Sequence, residues 1–165
     1  MATKQAMWVH GTQAQAQREA PYLPMSQSPF SIYKKNAPYL TRFGWGSQFE
    51  FYGIEWFHFA IPTPVIFGGK HSTLDKAFIL YETLLGAKVK ALHIYDGLEK
   101  IQEFNGLNYT GDHSYGLDVH NTWIIKPVHI RFGLGLSVEV DFGEFTPNDM
   151  PGILFTSAGA DFTIP

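Results

Sequence analysis

The sequence predicts an all-β protein, either an antiparallel β-sandwich of jelly-roll type or a flattened barrel, with about nine or ten strands. The main observation is the stretch from residue 128 to residue 142. Every even position there is apolar and every odd position is small or polar. Side chains alternate in this way only in a strand, so the stretch predicts one long strand with an apolar and a polar face. The second observation is a series of turn signals spaced roughly ten residues apart along the chain.

Composition excludes several classes of protein. The 165 residues carry a net charge of −3 and no cysteine, which predicts a single domain over residues 1–165 without disulfides, zinc–thiolate sites or thiolate catalysis. No basic cluster is available to neutralise phosphates, so nucleic acid is not an expected partner. Residues 1–20 contain no apolar core of a secretory signal, and no apolar run is long enough to span a membrane. The expected location is cytoplasmic, with export by a route lacking a readable signal left open.

The N-terminal half of the chain predicts strands on either side of an irregular arm. Residues 6–10 predict a strand, and the alternating alanines and glutamines of residues 13–17 predict a weak edge strand. Four prolines interrupt the pattern between residues 18 and 38, which predicts a proline-rich arm without regular structure. Strands are then expected at residues 43–52 and 55–61, before prolines end the second of them.

The C-terminal half contains one ambiguous segment. Apolar residues of segment 74–85 fit helical spacing as well as a strand, and we interpret it as a strand that forms a hairpin with residues 88–95. A turn at Asp96-Gly97 precedes a short strand at residues 101–104, and residues 117–120 predict a weaker one. The long strand is expected to begin near residue 123 and to bend at Gly133 or Gly135. Residues 153–156 and 161–164 close the domain, with a bulge or kink at Gly159.

Several sequence blocks resemble a family of small bacterial proteins of unknown function. The blocks are the opening at residues 7–11, the FHFAIPTPV segment at residues 57–65 and a His-x-Tyr-Asp-Gly turn at residues 93–97. A Gly-Leu-Gly-Leu-Ser-Val strand at residues 133–138 and a final Ser-Ala-Gly-Ala-Asp-Phe at residues 157–162 complete the set. The resemblance implies a β-rich single domain, and it implies no activity. The proline-rich insert departs from the pattern of the family.

The polar face of the long strand is the first candidate site. His129 is a candidate base and Arg131 a candidate clamp for an anion. Gly133 and Gly135 leave a trough in which a ligand or another subunit can approach the backbone. The residues expected to share this face are His129, Arg131, Ser137, Glu139 and Asp141. The alternative interpretation is an ordinary solvated outer face, with the glycines present for curvature.

Histidines next to aromatic residues form the second group of candidates. His58 shares a strand face with Trp56, where it can stack on a sugar or move a proton, or serve only as a hydrogen-bonded structural residue. His93 and Tyr95 precede the Asp96-Gly97 turn. They form either an acid–base pair or part of a structural turn in which Asp96 bonds its own backbone.

Four potential metal ligands fall within nine residues of sequence: Asp112, His113, Asp118 and His120. Carboxylates and imidazoles in a loop can bind calcium or a transition metal. Their spacing matches no established metal motif, and no phosphate-binding or dinucleotide-binding fingerprint occurs in the chain. The sequence therefore predicts neither a metal site nor a cofactor.

These observations favour a non-catalytic β-sandwich that binds a partner or assembles with itself, most simply as a homo-oligomer. Low charge and many aromatic residues support this interpretation. One alternative is a cofactor-independent lyase, isomerase or cyclase with His58 or His129 as base beside Arg131. The other is a carbohydrate-binding module that uses exposed rings as platforms. The candidate ligand or interface residues are Trp45, Trp56, Tyr95, Glu139 and Asp141.

Overall fold

The computed structural model describes residues 2–18, 38–144 and 150–165. Within them the chain is almost entirely β-structure, and every strand pairing is antiparallel. None of these residues belongs to a helix with the length and apolar character needed to cross a membrane. The proline-rich arm predicted at residues 18–38 lies outside the described residues, apart from its two ends.

The described residues form fourteen strands and one short 3₁₀ turn. The strands are β1 (Thr3–His10), β2 (Gln15–Ala16), β3 (Tyr39–Phe43), β4 (Gly46–Glu50), β5 (Ile54–Ile61), β6 (Ile66–Phe67), β7 (Lys70–His71), β8 (Thr73–Leu84), β9 (Lys88–Asp96), β10 (Glu99–Phe104), β11 (Asp112–His113), β12 (Thr122–His129), β13 (Leu134–Asp141) and β14 (Gly152–Ile164). The 3₁₀ turn, Gly11–Gln13, follows β1. Four strands contain only two residues, which explains why this number exceeds the nine or ten predicted.

Two sheets account for most of the strands. The larger sheet has seven, in the order β11-β8-β14-β4-β3, with β1 also paired to β14 and β12 to β8. The smaller sheet has five, in the order β10-β9-β13-β5-β2, and β6 and β7 form a separate hairpin. The sheets do not close into a barrel. The predicted all-β sandwich is therefore confirmed, and the barrel alternative is wrong.

Aromatic rings join the two sheets across the core. Phe57 of the smaller sheet lies 4.6 Å from Phe49 and 5.2 Å from Phe155 of the larger one, measured between ring centroids. Phe59 meets Phe155 edge-on at 5.3 Å. All four side chains are at most 2% exposed, so the apolar faces of the sheets cover each other completely at this point.

The predicted long strand at residues 128–142 is two strands in different sheets. Strand β12 ends at His129 in the larger sheet, and β13 begins at Leu134 in the smaller one. The break covers residues 130–133 and so includes Gly133, one of the two predicted bends, where φ is 155°. Apolar and polar residues continue to alternate in the sequence through the break, but their burial does not follow. Phe132 is 72% exposed, although the pattern predicted it to be buried. Alternation reports the two faces of a strand and not the sheet to which the strand belongs.

The predicted hairpin of residues 74–85 with 88–95 is also wrong. Segment 74–85 is a strand as predicted, but β8 pairs with β14, β12 and β11, whereas β9 pairs with β13 and β10. The connection passes from one sheet to the other through Leu85 and Gly86, both with positive φ. A short turn containing glycine can therefore connect strands of two different sheets as readily as it connects the two strands of a hairpin.

Three smaller predictions fail locally. Residues 43–52 are interrupted by a turn at Gly44-Trp45, which joins β3 to β4, and residues 117–120 form a loop. Strand β14 is continuous through Gly159, and its register shifts lie on either side of that residue. A Cβ atom at Gly159 would lie 2.6 Å from the carbonyl oxygen of Met7. Glycine is required here for the close approach of β1 rather than for a bulge.

Candidate functional site

The outer face of the smaller sheet carries the candidate site. Strand β13 buries its even-numbered residues in the core, so its odd-numbered residues turn outward. These are Gly135, Ser137, Glu139 and Asp141. Because β13 is the central strand of five, with two strands on each side, its outward residues have neighbours from both adjacent strands.

Strand register places two rows of residues across this face beside each other. Ser137 pairs with His58 of β5 on one side and with His93 of β9 on the other. Gly135 occupies the same position between Ala60 and Tyr95. The glycine row is a low point in the surface, and the serine row beside it places a hydroxyl between two imidazoles.

His58 and Ser137 form a direct polar contact. Nδ1 of His58 lies 2.8 Å from Oγ of Ser137, whose residue is 8% exposed. Burial lowers the pKa of His58 below its ordinary value, and the negative charge of Glu55 opposes this shift only in part. The imidazole is therefore neutral at pH 7 and offers a hydrogen-bonding nitrogen rather than a positive charge.

Trp56 and His93 form a half-buried aromatic pair beside the serine row. Their ring centroids are 4.6 Å apart with an interplanar angle of 41°. Nε2 of His93 lies 3.0 Å from the side-chain oxygen of Asn105. Since an amide oxygen only accepts, this nitrogen carries a proton, and the ring is fixed against the indole.

A shallow open groove of about 540 Å³ lies over the glycine and serine rows. Its polar lining comes from Gln13, Gln15, His58, Tyr95 and Ser137, and its floor includes Ala60, Gly133 and Gly135. None of the described residues that line the groove is an aspartate, glutamate, lysine or arginine. The groove therefore presents amide, hydroxyl, phenol and neutral imidazole groups.

Asp96 holds one end of the groove in place. Its Oδ2 accepts a hydrogen bond from the backbone N–H of Arg131 at 2.8 Å, and its Oδ1 accepts those of Phe132 at 2.8 Å and Gly133 at 3.0 Å. The sequence predicted that Asp96 would bond its own turn. Its contacts instead tie the β9–β10 turn to the crossing between the sheets, which places Gly133 at the groove.

Five of the predicted site residues lie on this one outer face: His58, Trp56, Tyr95, Glu139 and Asp141. Among them His58 and Tyr95 line the groove itself. Glu139 is paired with Trp56 in the register of β13 and β5. Asp141 lies at the far end of β13, where its Oδ1 accepts the N–H of Gly143 at 2.9 Å.

The other three predicted residues lie elsewhere. His129 ends β12 in the larger sheet, with its Nδ1 3.1 Å from Thr73 Oγ1. Arg131 sits in the crossing and pairs with Glu99 at 2.8 Å, and both side chains are largely exposed. Trp45 occupies the β3–β4 turn. The polar face expected to join His129 and Arg131 to Glu139 and Asp141 does not exist, because the strand that was to carry it is divided between two sheets.

Sequence reasoning missed the glutamines of the groove. Gln13 ends the 3₁₀ turn and Gln15 lies on β2, which pairs with β5 so that Gln15 is opposite His58. The alternation of residues 13–17 correctly predicted an edge strand here. The alternation does not predict which sheet this strand joins. It therefore could not predict that the glutamines lie next to His58.

Residues 2–151 match a family described as a family of unknown function, DUF6623. The chain belongs to the DUF6623 family. The resemblance to an uncharacterised family is thereby confirmed, and no curated protein matches the chain. The DUF6623 match spans every residue that lines the groove, so the groove is part of the family domain and its chemistry is the guide to function.

Proposed function

We propose that this protein is a non-catalytic β-sandwich binding protein whose outer-face groove takes a neutral, hydroxyl-rich ligand of the saccharide class. The observation that carries the proposal is the uncharged polar lining of the groove. A ligand bearing phosphate or carboxylate groups would call for arginine or lysine in the lining. Such residues are absent from the described lining, whereas groups that both donate and accept hydrogen bonds are abundant there.

The groups present match the surface of a sugar ring. Hydroxyl groups donate and accept, as do the side chains of Gln13, Gln15 and Ser137. The aromatic ring of Tyr95 offers an apolar face to the C–H groups of a pyranose. The glycines of the floor leave room for the ligand to approach the strand backbone. Neutral His58 adds a hydrogen-bonding nitrogen without introducing a charge that a neutral ligand would have to desolvate.

Catalysis is supported less well by the same contacts. The 2.8 Å contact between His58 and Ser137 resembles a base beside a nucleophile. However, Arg131 and His129, the partners expected for an enzyme, lie outside the groove. We therefore treat turnover of a bound ligand as a separate outcome of the binding experiment, to be detected by analysis of the products.

The test is affinity electrophoresis in native gels cast with neutral polysaccharides, followed by calorimetry with oligosaccharides of any polymer that retards the protein. Ala60→Phe fills the groove from an exposed position, so it should abolish retardation. Ser137→Ala removes one neutral hydrogen bond and should weaken binding about fivefold. His129→Ala is the matched control, because it removes an exposed histidine from the other sheet. Absence of binding by the unaltered protein, or binding that survives Ala60→Phe, would refute the proposal.

Self-association is the other half of the predicted function, and it remains a prediction. The same preparations can be analysed by sizing with light scattering. If Ala60→Phe changes the mass of the species in solution rather than ligand binding, the groove face is an interface between copies of the chain and not a ligand site.

A further inference from the structure

Three potential metal ligands meet beside the larger sheet, and none of them lines the groove. Ring nitrogens of His113 and His120 and a carboxylate oxygen of Asp118 all lie within 4.8 Å of one another. His113 belongs to β11, which pairs with β8, and the other two follow in the loop before β12. The cluster joins a strand to a loop, so tertiary structure assembles it.

The ring of His113 is oriented as a ligand would be. Its Nε2 lies 3.0 Å from the carbonyl oxygen of Thr110 and so carries a proton, which it donates. Its Nδ1 lies 2.6 Å from Oδ2 of Asp118, a hydrogen bond whose proton a bound metal ion would displace into solution. A metal-binding histidine usually donates its second ring N–H to a backbone carbonyl in this way, which fixes the ring and directs the other nitrogen at the ion.

The other two ligands are open to solution. Nδ1 of His120 lies 3.7 Å from Oδ1 of Asp118, and the side chains of these residues are 47% and 41% exposed. That of His113 is 13% exposed. Ligands about 2.0–2.2 Å from a tetrahedral ion are about 3.3–3.6 Å apart. The two separations from Asp118, 2.6 Å to His113 and 3.7 Å to His120, lie on either side of this range, and all three ligand atoms lie within 4.8 Å of one another. Side-chain rotation is therefore all that is needed to surround an ion.

The loop that carries the ligands is held independently of any ion. Asn121 is fully buried, and its amide donates to the carbonyl oxygens of His113 at 2.9 Å and Gly116 at 2.6 Å. Its own oxygen accepts the N–H of Asp118 at 2.8 Å. The hydroxyl of buried Tyr81 donates to the carbonyl oxygen of His120 at 3.0 Å. A preformed loop of this kind loses little conformational entropy when it binds an ion.

We propose that His113, Asp118 and His120 form a binding site for one divalent transition-metal ion of the zinc type. Two imidazoles with one carboxylate suit Zn²⁺, Co²⁺ or Ni²⁺, whereas Ca²⁺ and Mg²⁺ prefer oxygen ligands throughout. Three protein ligands leave a coordination position for water or a further ligand. The sequence predicted no metal site because the His-x₄-Asp-x-His spacing matches no established motif. The hydrogen bonds of the loop supply the geometry that the spacing does not reveal.

The test uses untagged full-length protein freed of metal with a chelator. Titration with ZnCl₂ in a calorimeter should give one ion per chain, and CoCl₂ should give visible ligand-field absorption typical of a low-symmetry nitrogen and oxygen site. His120→Ala and Asp118→Asn should each weaken Zn²⁺ binding at least about tenfold, since each loses a direct ligand. His129→Ala should bind Zn²⁺ as the unaltered protein does. MgCl₂ and CaCl₂ should not compete.

Folding of each variant is checked by circular dichroism before titration. His120→Ala is the most informative variant because the side chain is exposed and donates no hydrogen bond to the loop framework. If a variant does not fold, nitrogen-detected NMR of the unaltered protein decides: Zn²⁺ must shift the ring nitrogens of His113 and His120 and leave those of His129 unmoved. Absence of stoichiometric binding, equal affinity in folded His120→Ala, or shifts at His129 instead would overturn the proposal and leave the cluster a hydrogen-bonded clamp.

Discussion

Asp96 is the residue whose replacement tests the architecture most directly. Its carboxylate is 2% exposed and accepts the backbone N–H groups of three successive residues in the crossing between the sheets. Asp96→Ala removes all three acceptors at once. Asp96→Asn keeps one oxygen for Phe132 and Gly133 and places an amide N–H against the N–H of Arg131.

The size of the effect follows from the number of donors. A hydrogen bond to a charged acceptor contributes about 1.5–3 kcal/mol, and a buried donor without a partner costs about 1–3 kcal/mol. Arg131 and Phe132 are exposed residues, so water can solvate part of what is lost. We therefore take the lower end and expect Asp96→Ala to reduce the free energy of unfolding by about 4 kcal/mol and Asp96→Asn by about 2 kcal/mol. Domains are commonly stable by about 5–15 kcal/mol, so the alanine variant should be close to unfolding at 37 °C.

The pH dependence has a definite sign. Burial alone would raise the pKa of Asp96, but the three backbone N–H groups, with the positive charge of Arg131, outweigh burial and lower the pKa below its ordinary value of 3.8. The folded state then binds this proton less tightly than the unfolded state. The stabilisation is complete above the unfolded pKa and is lost as the pH falls through the lower, folded pKa. Asp96→Asn cannot titrate, so its stability should fall less steeply in acid.

Urea denaturation followed by tryptophan fluorescence, repeated from pH 7 to pH 3, measures both effects. Asp141→Asn is the control, since that carboxylate accepts a single local N–H and its replacement should cost under about 1 kcal/mol. The reasoning fails if Asp96→Ala is within 1 kcal/mol of the unaltered protein. It also fails if Asp96→Asn and the unaltered protein lose stability in parallel as the pH falls.

Three further predictions follow from single contacts. Gly159→Ala should destabilise the fold by about 1–3 kcal/mol, because its Cβ would lie 2.6 Å from a backbone oxygen of the neighbouring strand. Thermal melting measures this effect. Gly44→Ala is the control, because a Cβ atom at that position has no neighbouring atom within 4 Å. Arg18→Ala should reduce the free energy of unfolding by about 3 kcal/mol, because it leaves the buried carboxylate of Glu55 without its partner. That carboxylate is 2% exposed and lies 2.7 Å from the guanidinium. Adding Glu55→Gln should recover part of the loss in urea titrations, and no recovery would contradict the charge argument. The imidazole of His58 should titrate below its ordinary pKa of 6.5 by NMR, because burial disfavours its charged form. Its contribution to stability should be complete above pH 6.5 and fall as the pH drops through the folded pKa, and a midpoint at or above 6.5 would contradict this.

The sequence alone determined the type of structure and most of the strands. Period-two alternation from residue 134 onward correctly separates the buried face of β13 from its outer face. The turn at Asp96-Gly97, the short strand that follows it and the strand nature of β8 were likewise predicted correctly. These features depend on the preferences of neighbouring residues along the chain, and such local preferences are visible without knowledge of the rest of the fold.

Tertiary structure decided which strands became neighbours, and with that the composition of both candidate sites. The sequence placed His58 on one strand and Ser137 on another, but only the register of β5 with β13 brings them to 2.8 Å. The same applies to His113, which reaches Asp118 because β11 pairs with β8 and buried Asn121 folds the loop back. Alternation along a strand specifies which side chains point to the core. Pairing between strands far apart in sequence depends on long-range packing, and no local pattern records it.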